Sequence, residues 1–222
     1  MKITITKDDV DYALASSSWD LGNQVLYSLC QDHPNHDRDD AIIAKVWLIG
    51  RSYAAAIERR KNADDTSDDF YETTVVEKIK KSTLDQWLAA LPDKMTDPWT
   101  ELGSIITVHK RLMDLFSAMT GLEKRSLASK YLHFHRPDLF FIYDSRAKEA
   151  VSKVTPRLNQ IKSITTEDQD WEYYSFCRRA QCMREDISTC FHKNLNPRQL
   201  DKILLRITDK IRKARTAGSR VP

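Results

Sequence analysis

The residues most able to do chemistry are concentrated between Met119 and Val151, in MTGLEKRSLASKYLHFHRPDLFFIYDSRAKEAV. Thr120-Gly121 ends one helical pattern and another begins by Arg125, so a very short hairpin joins two helices. Such a turn presents backbone N–H groups and the positive end of the second helix to solvent, an arrangement that binds phosphate. Lys124 and Arg125 on the same turn add charge-assisted contacts. Further along that helix, Ser126, Lys130 and His133 share a face at i, i+4, i+7 spacing. A lysine there is ordinarily solvated, but this one stands beside a hydroxyl and an imidazole. An apolar link through Phe140, Phe141 and Tyr143 follows, and Asp144 opens the next helix. An Asp before Ser145-Arg146-Ala147 is ordinarily an N-cap, and a capping carboxylate can still face a cleft.

Metal and cofactor chemistry finds little support. His133 and His135 lie two apart, so on a helix they diverge by about 200° and cannot easily share an ion. His33 and His36 sit among Asp32, Asp37, Asp39 and Asp40, where solvation and helix capping account for them. Cys177, Cys182 and Cys190 fall on one helical stretch at spacings that match no zinc or iron–sulfur pattern, and Cys30 is remote. Free, mostly buried thiols are expected. The chain has only 5 glycines, few for a Rossmann or P-loop phosphate cradle, so no metal and no cofactor is expected.

The elements that must position these residues are helical. Asp20 to about Gln31, Asp37–Asp40 to about Lys61, Phe70 to Lys81, and Thr83 to Leu91 carry the 3.6-residue period. Asp97-Pro98 reads as a helix start, with that helix running to about Met119. Helices from Arg125 to His135, Asp144 to Lys153, Asp168 to Phe191 and Pro197 to Arg215 complete the set. The alternating ITIT at 3–6 could form a short strand, and 62–69 and 155–166 read as loops. The expectation is an all-α bundle of about eight or nine helices in a single domain of residues 1–222. It divides into an acidic N-terminal lobe (1–95), a hairpin-containing basic lobe (96–215) around a cleft, and a loose tail (216–222).

Charge sharpens that division. The net charge is +3, but residues 1–100 hold 12 basic against 18 acidic groups and the remainder 23 against 14. A −6 half beside a +9 half implies an anionic partner for the second, while the acidic half is a candidate surface for a protein partner. No apolar run reaches about 18 residues, so no membrane span is expected. MKITITKDDV lacks an apolar signal region, which makes cytoplasmic residence the default.

The order hairpin, helix, apolar link, then FIYDSRA resembles the helix–hairpin–helix DNA glycosylase superfamily, in particular its 8-oxoguanine-glycosylase-like branch. Met119-Thr120-Gly121-Leu122-Glu123 stands for that family's Gly-containing hairpin, and Tyr143-Asp144-Ser145-Arg146-Ala147 for its aspartate motif. The resemblance implies two lobes around a cleft and DNA held through Gly121, Lys124, Arg125 and Arg146. It also implies a base flipped into a pocket of Phe140, Phe141, Tyr143 and Trp171, and an N-glycosidic bond cleaved with Asp144 stabilising the positive charge that develops on the sugar. A modified phage base is one substrate it suggests. The chain departs from the pattern at Glu123, which replaces the second hairpin glycine, at Ile142 for a proline, and at Arg146 for a histidine. Arg125 stands where bifunctional members carry a lysine. Arginine stays protonated and forms no Schiff base, so Lys130 is the candidate amine. Two rivals remain: a non-catalytic DNA-binding module, and a protein-interaction module, on the same fold.

Overall fold

In the computed structural model, which describes residues 3–59, 69–95, 97, 99–155 and 168–218, every regular element is helical. These residues form α1 (Lys7–Leu14), α2 (Ser18–Asp32), α3 (Asp39–Ser52), a π-helical turn (Tyr71–Val76) continuing into α4 (Glu77–Lys81), and α5 (Leu84–Ala89). They continue as α6 (Leu102–Thr120), α7 (Arg125–His135), α8 (Ser145–Val154), α9 (Trp171–Phe191) and α10 (Pro197–Gly218). Among the described residues no strand occurs. Residues 3–6 have neither helix nor ladder; Ile3 N–H donates to Lys153 O (2.9 Å), and Ile3 and Ile5 pack on the core. No helix among the described residues is long and apolar enough to cross a membrane.

Two groups of helices meet. α7 packs against α2, α3 and α6, and α8 packs against α9 and α10, with α1 on α10. The link Leu139–Tyr143 runs between them, buried throughout and, after the turn that Leu139 N–H closes with Arg136 O (3.1 Å), without regular structure. All of it but Ile142 belongs to one apolar cluster that includes Val10 and Ile207. A buried segment outside helix and sheet must satisfy its backbone through side chains. Ser129 Oγ accepts from Tyr143 N–H (3.1 Å) and donates to Tyr143 O (3.3 Å), His133 Nδ1 donates to Phe140 O (2.9 Å), and Tyr173 Oη donates to Phe141 O (2.8 Å). Three side chains from α7 and α9 thus do the work of a ladder.

Local signals placed most helix ends. Gly121 closes α6 at φ 68°, the left-handed conformation that glycine adopts without steric cost. Asn196 caps α10 reciprocally with Gln199 (Gln199 N to Asn196 Oδ1, 2.8 Å; Asn196 N to Gln199 Oε1, 3.0 Å), with Pro197 in the first helical position. Four expectations are corrected. α1 is an additional helix, begun where Thr6 N–H and Oγ both donate to Asp9 Oδ2 (3.2 and 2.9 Å). α6 starts at Leu102, because Asp97 instead closes a turn through Trp99 N–H (2.9 Å); Pro98 lies outside the described residues. α10 runs through Gly218, so the tail is helical further than expected. Finally, α3 ends at Ser52 rather than near Lys61. Ala55 N–H donates to Gly50 O (2.7 Å) and Ala54 N–H to Arg51 O (3.3 Å), a Schellman closure with Ala54 left-handed at φ 51°. The expected loops lie largely in 60–68 and 156–167, outside the described residues.

Candidate functional site

Lys130 and Asp144 come together where α7 faces the start of α8. Lys130 projects from the middle of α7 and is 1% exposed. Its amine donates to Ser126 Oγ one turn back (2.8 Å) and to Tyr53 O (3.3 Å), and lies 5.7 Å from the centroid of the Tyr53 ring. The Asp144 Oδ2 atom stands 3.6 Å from that amine, and its Oδ1 accepts from Ala147 N–H (2.8 Å) as the α8 cap. Capping therefore fixes the carboxylate with one oxygen turned to the lysine. The Asp144 side chain keeps 27% of its surface exposed, whereas the amine behind it has almost none. Burial draws the Lys130 amine below the usual lysine range, and Asp144 and then Asp201 oppose that shift.

A polar cluster continues inward from this pair. Asp201, on the first turns of α10 and 2% exposed, bonds Arg198 Nη1 through Oδ2 (2.5 Å). Its Oδ1 is buried without a hydrogen-bond partner among the described residues, as are Asn23 Nδ2 and Arg198 Nε, the last standing 3.9 Å from Asp20 Oδ1. Burial raises the Asp201 carboxyl to about 6, with Arg198 opposing and Asp144 adding repulsion. Tyr53 Oη donates to Asn23 Oδ1 (2.9 Å). One turn along α2, Tyr27 Oη meets His133 Nε2 (2.7 Å); because His133 Nδ1–H is committed to Phe140 O, Nε2 carries the lone pair and the tyrosine donates. A cavity of about 280 Å³ opens beside this cluster, lined by Gln24, Tyr27, Gln31, His133, Asn196 and Arg198 among others.

The remaining expected site residues are disposed as follows. Gly121 forms the hairpin turn. Lys124 is buried beneath it and donates to Ala56 O (3.1 Å) and Arg59 O (2.5 Å). Arg125 binds Asp170 Oδ2 (2.5 Å), with Glu123 at 3.2 Å and Glu172 at 3.6 Å. Arg146 pairs with Asp209 (2.6 Å). Phe140, Phe141 and Tyr143 are buried in the core rather than presented at a surface, and Tyr143 Oη donates to Glu172. Trp171 is 46% exposed and lines a separate groove with Lys148, Phe176 and Arg179. In the terminal basic cluster, Arg206 and Lys210 hold the buried Asp9 (3.0 and 2.6 Å) and Arg215 holds Glu149 (2.8 Å).

The histidines lie where packing needs them. His135 Nδ1 donates to Tyr131 O (2.9 Å) and its ring stacks on His36 at 5.2 Å. Among the described residues no group of three or more His, Cys, Asp or Glu could hold a metal. Cys30 and Cys177 are free and buried, Cys182 is partly exposed and Cys190 is exposed, fewer buried thiols than expected. Sequence reasoning missed Asn23, Tyr27, Arg198 and Asp201. Arg198 and Asp201 share a helix face three apart, a spacing common on any solvated helix, so no local signal distinguished them. No family model, curated protein or solved structure matches the chain.

Proposed function

We propose that this chain is a DNA N-glycosylase with a helix–hairpin–helix, two-lobed glycosylase-like fold, in which Lys130 and Asp144 cleave the glycosidic bond of a flipped damaged or modified base. One observation carries the reading: a buried amine 3.6 Å from a partly exposed carboxylate, downstream of a tight helical hairpin. Breaking a C1′–N bond leaves positive charge on the sugar, and a carboxylate held in place by a helix cap offsets that charge without reorganising. An amine drawn below its usual range supplies the nucleophile. In the balanced step, the deprotonated amine bonds to C1′ as the C1′–N bond breaks, and the electron pair of the broken bond leaves with the base. The proton lost by the attacking nitrogen passes to Asp144 and on to the departing base. The nitrogen's second proton goes to the ring oxygen as the sugar ring opens to an imine, which water then hydrolyses. The polar cavity beside Tyr27, His133 and Arg198 offers hydrogen-bonding groups to a base edge, in place of Phe140, Phe141 and Tyr143, which are buried in the core.

The test is incubation with oligonucleotides carrying 8-oxoguanine, alkylated, deaminated or hypermodified bases, with and without borohydride. Base release and a reducible cross-link are expected from wild type, and neither from Lys130→Met. Release without a cross-link would assign the nucleophile to a water activated by Asp144. No release from any substrate, or equal release by Asp144→Asn, overturns the reading. A second reading, a protein-interaction module on the same fold, is favoured by one observation: Lys124 and Arg125 at the hairpin are both engaged internally rather than free for phosphate. Co-purification with a protein and no DNA affinity would support it, whereas salt-dependent DNA binding without base release would assign a non-catalytic DNA-binding module.

A further inference from the structure

The amine of Lys130 is enclosed by a specific piece of backbone. After α3 ends, residues 53–59 turn back across α7, so that Tyr53 places its carbonyl on the Lys130 amine and its ring 5.7 Å away. The same strap is tied at its other end by the amine of Lys124, which donates to Ala56 O and Arg59 O at 3.1 and 2.5 Å. Lys124 is itself buried, so its two bonds are shielded from competing water. At its start the strap carries Ala54 at φ 51°, a left-handed conformation that a residue with a Cβ adopts at a cost. It also lies so close to α3 that a Cβ on Gly50 would stand 3.3 Å from Ala56 Cα.

We propose that residues 53–59 are a gate over the Lys130 amine and that Lys124 is the positioning residue that holds it shut. The functional meaning of the gate rests on the glycosylase reading: an amine enclosed to this degree reaches a sugar only after something moves, and the strap is the strained element bonded directly to it. Two lysines, the cap of α7 and a residue in its middle, thus divide the work. Lys124 holds the strap and Lys130 lies beneath it. Opening transfers the Tyr53 carbonyl to solvent and leaves the amine with Ser126 and Asp144.

The experiment follows modification of individual lysines by an N-hydroxysuccinimide acetate ester on the full chain, read by peptide mass spectrometry. In Lys124→Met the rate at Lys130 is expected to rise about tenfold or more, as a locally closed segment loses its closing contacts. Lys45, buried elsewhere, is expected to keep its wild-type rate, and Lys124→Arg, which retains a donor, to restore slow labelling of Lys130. If Lys124→Met does not fold, Gly50→Ala serves instead: it pushes Ala56 away from α3 with both lysines intact and is expected to accelerate Lys130 in the same direction. An unchanged Lys130 rate overturns the gate, and so does an equal acceleration at Lys45, which would mean general loosening. Because labelling needs no DNA, faster labelling without base release from any oligonucleotide sinks the glycosylase reading and leaves the gate standing. Unchanged labelling sinks the gate whatever the DNA assay returns.

Discussion

Among the described residues two lysines, Lys45 and Lys130, are at most 1% exposed, and their surroundings differ in kind. Lys45 on α3 is 0% exposed; its amine donates to Asn35 O at 3.1 Å and reaches His135 Nε2 at 3.5 Å, and among the described residues it makes no ion pair. Stacked imidazoles, the Tyr131 hydroxyl and the Cys30 thiol complete its neighbourhood, while Asp85 is bound to His36 (2.5 Å). Lys130 instead faces Asp144 directly and has Asp201 behind it. Burial lowers both amines. The difference teaches that burial alone activates an amine without giving it a task. A carboxylate that is fixed, adjacent and still touched by solvent connects Lys130 to the outside, whereas Lys45 feels Asp85 and Asp37 without forming an ion pair among the described residues.

The comparison can be broken most sharply with a matched pair. Lys130→Met is expected to lower base release by roughly 10²–10⁴-fold, while Lys45→Met leaves it within about twofold per correctly folded molecule; equal losses in a single-turnover assay would erase the distinction. Acid separates the two regions next. His36 and His135 beside Lys45, together with His109 and His133, are pulled down by burial, the last two to about 4. The unfolded chain therefore takes up these protons first. Stability is fully present above about pH 6.5 and is lost on going down towards pH 4, by roughly 3 kcal/mol for each histidine shifted that far. Urea midpoints should fall across that window, and His135→Gln, which removes a titrating group beside Lys45, should flatten the fall. A flat profile in wild type contradicts the account. Smaller again is Ser129→Ala, which removes both backbone contacts of Tyr143 next to Asp144 and should cost about 1–3 kcal/mol by urea titration. The smallest effect concerns the strap: Ala54→Gly relieves the left-handed alanine and should stabilise by about 1 kcal/mol, visible as a raised Tm.

The hairpin and the Asp144 cap were legible because each is a short-range device. Gly121 in a left-handed turn and Asp144 before Ser-Arg-Ala act on backbone groups within four residues, so α7 and the start of α8 could be delimited from the chain alone. The end of α3 was not legible. Ile57 continues the helical period and no glycine marks the turn at Ala54, because the carbonyls released there are taken by Lys130 and Lys124 from α7 and its cap. The aromatic link was legible as apolar but not as core. Its burial requires Ser129, His133 and Tyr173 to serve its backbone, and nothing in the spacing of those three announces that duty.

By itself the sequence determined an all-helical chain with no apolar membrane-spanning helix among the described residues, a hairpin of known position and an aspartate that caps the following helix. Periodicity and caps are local, and a chain carries local information in plain order. The tertiary structure alone decided that Lys130 and Asp144 meet, that Asp201 lies buried behind them, and that Lys124 and Arg125 are engaged within the protein. Each of these depends on which faces of distant helices exclude water against one another, and on where the charges caught between them find partners.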